Sequence, residues 1–327
     1  MKKLTRILSL FTLLSLSLTL CCCAAFAEDR FDAALPVRVY TLNGATGFGM
    51  AGLIADAQAG EAALNYEFTV ESDPSVVTAA LVSGDCDLAA LPTNAASVLY
   101  NKTEGAVQVL ALNTRGVLYL VTDGKTKVES LSDLEGLTVF APAQNPSFIL
   151  QALCDAAEVK LTIDNSFAQP AELGAAVAAG EVTLAVLPEP LLTAARIQNP
   201  SLVAALDLTA AWDEVMEPGS LVQGCVAVRR AFAEAHPVEL AKFLEEYGAS
   251  VALLTEDAED AAEKIEAAGL FAKAAVAAKA IPNCNVCFVT GEEMRQELSA
   301  FLVAMLETAP QSIGGKLPED DFYCILK

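Results

Sequence analysis

Gly84-Asp85-Cys86-Asp87-Leu88-Ala89-Ala90-Leu91-Pro92 recurs 96 residues later as Gly180-Glu181-Val182-Thr183-Leu184-Ala185-Val186-Leu187-Pro188. Five of the nine positions are identical. In both copies a glycine ends a helix-like segment, and a short apolar run stops at a proline. This pattern is typical of a buried strand that follows a helix.

The similarity extends upstream of both copies at a slightly different spacing. Val39-Tyr40 matches Val139-Phe140, and Gly47-Phe48-Gly49-Met50 matches Ser147-Phe148-Ile149-Leu150. The alternative is chance similarity, because short alanine-rich matches arise easily. We interpret the pattern as one α/β unit used twice. Alternating strands and helices favour parallel sheets, so we predict two doubly wound α/β domains.

Local signals support the first copy of the unit. Residues 37–42 resemble a strand, 43–49 form a glycine-rich loop, and a helix is predicted from Met50. Asp73-Pro74 is a good start for a helix ending at Gly84, and Cys86–Leu91 is predicted as a strand. Further on, a helix is predicted to start at His236-Pro237, and Asp257–Ala280 to be helical.

Two strand-like segments, residues 116–121 and the run near Leu221, are predicted to cross between the domains as hinge strands. Lobe I would then comprise residues 36–115 plus 226–327, and lobe II residues 116–225. Hinge strands of this kind allow a cleft to open and close. Ligands bind open α/β sheets beyond the carboxyl ends of the strands, so the loops there should face one another.

The amino terminus predicts export. Residues 1–27 combine a basic start, an apolar run and the small-x-small site Ala25-Phe26-Ala27, as signal peptides do. Leu20-Cys21-Cys22-Cys23 also resembles a lipobox, although Cys22 stands where Gly, Ala or Ser is usual. Cleavage before Glu28 and lipidation at Cys23 both remain open. Either places the protein outside the cytoplasm, in the periplasm or on the outer face of the cell membrane.

The net charge of the chain limits the kinds of partner that it could bind. The chain of 327 residues has 42 acidic and 20 basic residues and a formal net charge of −22. Nucleic-acid binding and electrostatic docking to anionic lipid both depend on basic patches, so this composition disfavours them. We therefore expect no nucleic-acid partner, and membrane contact only through a lipid anchor.

Several motifs, in this order, resemble the type II periplasmic solute-binding proteins, in the branch that contains nitrate, sulfonate and thiamine-precursor binders. They are residues 43–50, Gly84–Leu88 leading to Pro92-Thr93-Asn94, residues 113–119, 130–136, Leu187-Pro188-Glu189-Pro190, and residues 314–318. The resemblance implies a two-lobed monomer that holds a small solute in its cleft. It also implies an ABC permease and its ATPase as partners, and no cofactor.

Polar or aromatic residues in the loops predicted to converge are the candidate ligand-binding residues. The glycine spacing G-x-x-G-x-G at Gly44, Gly47 and Gly49 could expose backbone N–H groups but lacks the dinucleotide order. The aromatic Phe48 could contact a flat ligand or anchor a helix. Thr93, Asn94 and Ser147 could bind a ligand or cap helices. The full set is Gly47, Phe48, Thr93, Asn94, Asn113, Arg115, Ser147 and Glu189.

Two of the candidate residues are charged, and they predict ligand groups of opposite charge. Glu189, held between prolines, would attract an amine or another hydrogen-bond donor. Arg115, beside the first crossing, would bind a carboxylate or sulfonate. Together they indicate a zwitterionic ligand, or an Arg115–Glu189 ion pair that locks the lobes together.

The cysteine and histidine content bears on catalysis. Cys284 and Cys287 lack a second pair at zinc spacing, so a structural disulfide, with Cys324 as one partner, is favoured over a metal site. The single histidine, His236, lies far from the candidate loops, which leaves no Ser-His-Asp or Cys-His arrangement. We therefore predict a binding protein and no enzyme. The alternatives are an exported enzyme of the same fold acting on a thiamine-precursor-like molecule, and a sensory binding domain.

Overall fold

The computed structural model describes residues 31–326, so the predicted signal peptide and Cys23 lie outside the described residues. The strands are β1 (Pro36–Leu42), β2 (Asn65–Glu71), β3 (Leu88–Pro92), β4 (Val107–Arg115), β5 (Leu118–Thr122), β6 (Thr138–Phe140), β7 (Thr162–Asp164), β8 (Leu184–Pro188), β9 (Val203–Asp207), β10 (Val222–Arg229) and β11 (Val286–Val289).

Helices alternate with these strands through most of the chain. They are α1 (Ala45–Phe48), α2 (Ala51–Ala59), α3 (Pro74–Ser83), α4 (Thr93–Lys102), α5 (Asn145–Ala156), α6 (Pro170–Ala179), α7 (Leu191–Gln198), α8 (Leu208–Val215), α9 (Arg230–Ala235), α10 (Pro237–Glu256), α11 (Ala258–Ala267), α12 (Ala274–Ala280) and α13 (Gly291–Thr308). None of the helices within residues 31–326 combines the length and apolar character of a membrane span.

The strands form two sheets with the same internal plan. The first has the order β11-β4-β10-β3-β1-β2, and the second has the order β7-β6-β8-β5-β9. In the first, β1 is parallel to β2 and β3, while β10 runs antiparallel to β3 and β4. In the second, β6 is parallel to β7 and β8, while β5 runs antiparallel to β8 and β9. The predicted repeat is therefore confirmed, since β3 and β8 occupy equivalent positions.

Both faces of each sheet are covered, because the strands are apolar at consecutive positions. In β3, Ala89 and Leu91 belong to one apolar cluster, and Leu88 and Ala90 belong to another on the opposite face. The strands β5 and β8 of the second sheet divide their side chains between two clusters in the same way. Strands buried on both faces carry continuous apolar runs.

The predicted end signals of the repeated helix are present. The Asp73 carboxylate accepts a hydrogen bond from the Ser75 N–H at 2.8 Å, and Gly84 ends α3 with a φ of 83°. Gly180 ends α6 with a φ of 77°. These positive φ angles favour glycine, which explains its presence at both helix ends.

Several boundaries differ from the sequence predictions. The predicted strand at Cys86 begins at Leu88, although the Asp87 N–H donates to the Arg38 carbonyl at 2.9 Å and the Asp87 carbonyl accepts from the Arg229 N–H at 3.0 Å. The glycine-rich loop contains the short helix α1, and the alanine-rich stretch is divided into α11 and α12 around Gly269. Strand β10 lies wholly within the first sheet and begins four residues before the boundary at residue 226 given above.

The two lobes share apolar contacts on either side of their connection. Helix α13 packs against α5 and also meets α8 through the rings of Phe301 and Trp212, while α12 packs against α7. One apolar cluster runs continuously through residues of both sheets. These contacts hold the two lobes against each other.

Candidate functional site

Both sheets direct the carboxyl ends of their parallel strands toward the segments that connect the lobes. Strand β4 ends at Arg115 and β5 begins at Leu118, so the chain passes between sheets within a few residues. Leu118 pairs with Pro188, the last residue of β8, and Arg115 pairs with Val222, the first residue of β10. The ends of β1, β3 and β4 therefore face those of β6 and β8.

We call the region between these ends the inter-lobe site. It is bounded by loops 43–50, 92–94, 141–148 and 188–190 and by connecting segments 115–118 and 216–222. In open α/β sheets this is the position where ligands bind. The repeat predicts a ligand site at this position.

The first connecting segment is tightly packed. A Cβ at Gly116 would lie 2.1 Å from the Thr209 Oγ1 and 2.7 Å from the Leu221 Cδ2, so glycine alone fits there. The Val117 N–H donates to the Gln223 Oε1 at 2.8 Å, and the Val117 carbonyl accepts from the Glu189 N–H at 2.9 Å. These bonds join the first connecting segment to β10 and to the end of β8.

Glu189 is the buried carboxylate of the site, with only 4% of its surface exposed. It precedes Pro190 through a cis peptide bond. Its carboxylate accepts hydrogen bonds from the Thr193 N–H at 3.0 Å and the Thr193 Oγ1 at 2.8 Å. Burial raises the pKa of Glu189, and the bonds from Thr193 oppose that rise only in part. The carboxylate thus caps the start of α7.

Arg115 is engaged elsewhere, and the Arg115–Glu189 ion pair considered from the sequence is not formed. Its guanidinium pairs with both carboxylate oxygens of Glu297 on α13, with the Nε contact at 3.4 Å. Glu293 lies 4.0 Å away. Because the positive charge is already neutralised within lobe I, Arg115 offers little to a carboxylate or sulfonate.

The glycine-rich loop after β1 packs against its own lobe. A Cβ at Gly47 would lie 2.0 Å from the Leu42 carbonyl oxygen, so this glycine is required by packing. Phe48 is fully buried, and its ring meets that of Phe271 edge-on at 6.3 Å. The Asn113 Nδ2 donates to the Thr46 carbonyl at 3.1 Å. Phe48 therefore presents no face to a ligand in this conformation.

Thr93 and Asn94 begin α4 at the end of β3. The Thr93 hydroxyl donates to the Val222 carbonyl at 2.7 Å, which ties the helix start to β10. The Asn94 Nδ2 donates to the Ser312 carbonyl at 3.3 Å, while its Oδ1 is buried without a partner among residues 31–326. Asn94 thus retains an unused acceptor.

Ser147 occupies the corresponding region of lobe II, near the start of α5. Its hydroxyl donates to the Pro142 carbonyl at 2.7 Å and accepts from the Asn165 Nδ2 at 2.6 Å. Its hydrogen-bonding capacity is thus used within the lobe. The nearby Phe148 is partly buried against the shared apolar cluster.

Two residues that the sequence reasoning missed also carry unused polar atoms. The Asn145 Oδ1 on α5 and the Thr209 Oγ1 beside Gly116 are buried and have no hydrogen-bond partner in the described part of the chain. The repeat could have indicated Asn145, because the spacing of 100 residues aligns it with Ala45 in the loop after β1. Nothing in the local sequence distinguishes Thr209.

The cysteines do not form the disulfide favoured from the sequence. All six cysteines within residues 31–326 are free thiols, including Cys284, Cys287 and Cys324. Burial raises the pKa of Cys287 to about 12 and that of Cys284 well above its usual value. Both thiols therefore remain protonated near neutral pH. No group of three His, Cys, Asp or Glu residues in the described range is arranged to hold a metal ion.

His236 lies on the opposite side of lobe I from the inter-lobe site. It precedes α10, and its Nδ1 is 3.9 Å from a carboxylate oxygen of Glu239. The carboxyl ends of β1 and β3 are thus remote from the chain's single imidazole.

No protein-family model matches the sequence, and neither does any curated protein. Solved structures do share its fold. An ABC transporter structure from Parabacteroides distasonis is 23% identical, with a TM-score of 0.76, and covers 90% of this chain and 100% of its own. The periplasmic aliphatic sulphonate binding protein SsuA from Escherichia coli is 14% identical, with a TM-score of 0.72, and covers 89% of this chain and 92% of its own.

The alkanesulfonate-binding protein SsuA from Xanthomonas axonopodis, solved bound to MOPS, is also 14% identical. Its TM-score is 0.64, and the match covers 85% of this chain and 94% of that protein. The predicted two-lobed type II periplasmic-binding-protein fold is therefore confirmed, and the sulfonate-binding branch provides structural neighbours.

Proposed function

We propose that this chain is the solute-binding protein of an ABC importer. It captures a small organic solute between its lobes and passes it to a membrane permease that is driven by an ATPase subunit. The observation that carries this proposal is a group of three buried, unpartnered oxygens on residues that border the inter-lobe site. Asn94 Oδ1 comes from lobe I, Asn145 Oδ1 comes from lobe II, and Thr209 Oγ1 lies at their connection.

Buried polar atoms are nearly always hydrogen-bonded, and each unsatisfied one costs about 1–3 kcal/mol. A solute that donates hydrogen bonds to Asn94 and Asn145 would remove this cost in both lobes at once. A solute that binds residues of both lobes favours the arrangement in which it contacts both.

The same atoms favour a solute rich in hydrogen-bond donors. The amide oxygens of Asn94 and Asn145 can only accept, and Glu189 adds a buried carboxylate. Arg115, the residue best suited to a sulfonate, is already paired with Glu297. We therefore favour an amine, an amide or a polyhydroxylated solute over the sulfonates named for the structural neighbours.

The positions and pKa values of the histidine and cysteine side chains support a binding role without catalysis. The single histidine lies on the far side of lobe I, and the Cys284 and Cys287 thiols have pKa values too high for a thiolate nucleophile at neutral pH. The predicted signal at residues 1–27 supports export, with release after Ala27 or a lipid anchor at Cys23. We propose that the mature protein acts as a monomer.

A thermal-shift screen of the mature protein tests this proposal. The solutes are polyamines, amino acids, pyrimidine precursors, polyols, nitrate and alkylsulfonates. A solute present at about a hundred times its Kd should stabilise the protein by roughly 2.7 kcal/mol. We expect stabilisation by a donor-rich class. Stabilisation by alkylsulfonates alone would contradict the proposed solute chemistry, and no response to any class would count against the importer role.

Asn145→Leu distinguishes a binding role from a structural one. Replacing an unpartnered buried acceptor by an apolar group of similar size should leave the free protein as stable or make it more stable. The solute-induced shift should be lost. The matched control is Asn165→Leu, which removes bonds to the Ala141 carbonyl and to Ser147 and should destabilise the free protein. Retention of the full solute shift in Asn145→Leu would exclude this residue from the site.

A further inference from the structure

A pocket lies at the edge of the first sheet opposite the inter-lobe site. Strands β1 and β3 begin there and the antiparallel β10 ends there. The pocket has a volume of about 500 Å³, and its position is independent of the inter-lobe cleft. We call it the edge pocket; its lining includes Arg38, Glu67, Asp87, Arg229, Phe232 and His236.

Two arginines in the edge pocket are held in fixed orientations. The buried Asp87 Oδ1 accepts from the Arg38 Nη2 and the Arg229 Nη2, each at 2.7 Å. The Asp87 Oδ2 accepts from the Arg38 Nε at 3.0 Å, and the Arg229 Nε donates to the Cys86 carbonyl at 2.8 Å. Because these contacts fix both guanidinium planes, little side-chain entropy remains to be lost when an anion binds.

The arginines keep unused hydrogen-bond donors. Within residues 31–326 the Nη1 groups of Arg38 and Arg229 have no hydrogen-bond partner, and the side chains remain 34% and 26% exposed. Two guanidinium groups share the single carboxylate of Asp87. Glu67 on β2 is exposed and is the cross-strand partner of Arg38. The lining is formally neutral, with two arginines and two carboxylates, so the unused Nη1 donors of Arg38 and Arg229 are the groups that could hold an anion.

The lining also contains aromatic and apolar side chains. The rings of Phe232 and His236 lie 4.9 Å apart, and Leu35 and Pro36 continue this surface. A pocket that combines oriented guanidinium groups with apolar side chains suits an anion with an apolar body.

We propose that the edge pocket is a second binding site, specific for a carboxylate carried on an aromatic or branched apolar group. The carboxylate would accept hydrogen bonds from the Nη1 groups of Arg38 and Arg229. The apolar body would lie against Phe232 and His236. Such a group exists in a free organic acid and at the carboxyl terminus of a peptide ending in a large apolar residue.

Proton NMR of His236 tests the proposal directly. His236 is the single histidine of the chain, so in a tag-free protein its imidazole C–H signals need no assignment. The probes are phenylacetate for a free acid, and a tripeptide ending in Phe with a free or amidated carboxyl terminus. We expect a saturable shift of the His236 signals with phenylacetate, the free peptide or both, and none with the amide. Response to phenylacetate alone indicates a free acid, and stronger binding of the peptide indicates a chain terminus.

Two variants separate binding from a structural role of the arginines. Arg229→Gln should weaken the active probe about tenfold or more, because a charge-assisted bond is lost while Arg38 still pairs with Asp87. His236→Gln leaves the Asp87 contacts intact and should also weaken binding, as measured by calorimetry. Arg295→Gln, at a surface ion pair with Asp320, is the matched control and should change nothing. The proposal is overturned if no probe shifts His236, or if both edge-pocket variants bind like the wild type.

Discussion

The indole of Trp212 packs on the ring of Phe301 with their centroids 5.9 Å apart, and this contact joins α8, which follows the last strand of the second sheet, to α13 of lobe I. Trp212 is fully buried, and its Nε1–H donates to the Ser220 Oγ at 2.8 Å. Ser220 belongs to the second connecting segment. The single tryptophan of the chain thus lies where the lobes and their connection meet.

Solute binding should therefore change the intrinsic fluorescence of Trp212. Any rotation of one lobe against the other alters the distance to Phe301 or the bond to Ser220. The measurement is the emission spectrum during titration with a solute that stabilises the protein thermally. Trp212→Phe should lose the optical signal yet keep the thermal shift. A solute that stabilises the protein but leaves the emission unchanged would indicate that this junction stays rigid.

Gly116→Ala should destabilise the protein by about 1–3 kcal/mol, as measured by urea denaturation, because the new methyl group collides with Thr209 and Leu221. Adding Thr209→Ala should recover part of the loss, since the nearest atom is the Thr209 Oγ1. Gly174→Ala is the matched control. Its Cβ would meet only the Leu191 Cβ at 3.8 Å, so the helix should gain about 0.5–1 kcal/mol. Equal behaviour of Gly116→Ala and Gly174→Ala would contradict tight packing of the connecting segment.

The repeat predicts the fold because each copy is a local pattern, a helix that ends at a glycine followed by a buried strand. The strands of the two copies, β3 and β8, take equivalent positions in the two sheets. Pairing over long distances leaves no such local signal. Arg115 finds Glu297, which is 182 residues away, and the sequence gives no reason to prefer it over Glu189. The unpartnered Oδ1 of Asn145 could not be predicted from the sequence either. It depends on the absence of a hydrogen-bond donor in the neighbouring loops, which the local sequence does not indicate.

Asp87→Asn should remove one acid-sensitive contribution to stability. Burial alone would raise the pKa of Asp87, but hydrogen bonds from Arg38 and Arg229 outweigh it, and the pKa falls below the usual 3.8. The native state then binds fewer protons than the unfolded state, so this contribution is present above pH 3.8 and is lost as the pH falls through the native pKa.

The Asp87→Asn variant should lose about 2 kcal/mol at neutral pH, less than for a fully buried pair because both arginines are partly exposed. Its free energy of unfolding should also fall less steeply than that of the wild type in the acid range. Asp155→Asn, at an exposed carboxylate, is the control and should change stability by less than about 0.5 kcal/mol. Matching acid curves for Asp87→Asn and the wild type would show that Asp87 does not stabilise the native state through its charge.

Ionisation of Glu189 should affect stability in the opposite direction to ionisation of Asp87, and Glu189→Gln tests this. Burial raises the pKa of Glu189 above its usual 4.5, so the native state binds more protons than the unfolded state between 4.5 and the native pKa. Stability of the wild type therefore falls as the pH rises through this window. The glutamine cannot ionise and can still accept from the Thr193 N–H. We expect the variant to gain stability relative to the wild type as the pH rises above 4.5.

Chemical denaturation of both proteins across a pH series measures this difference, and Glu181→Gln, at an exposed glutamate, provides the control. Parallel curves for Glu189→Gln and the wild type would mean that ionisation of Glu189 carries no penalty in the folded protein. The same variant tests the solute chemistry, because a neutral amide attracts a cationic donor less strongly than a carboxylate does. Weaker binding of an amine with unchanged binding of a polyol would assign Glu189 to charge recognition. Unchanged binding of both would restrict Glu189 to capping α7.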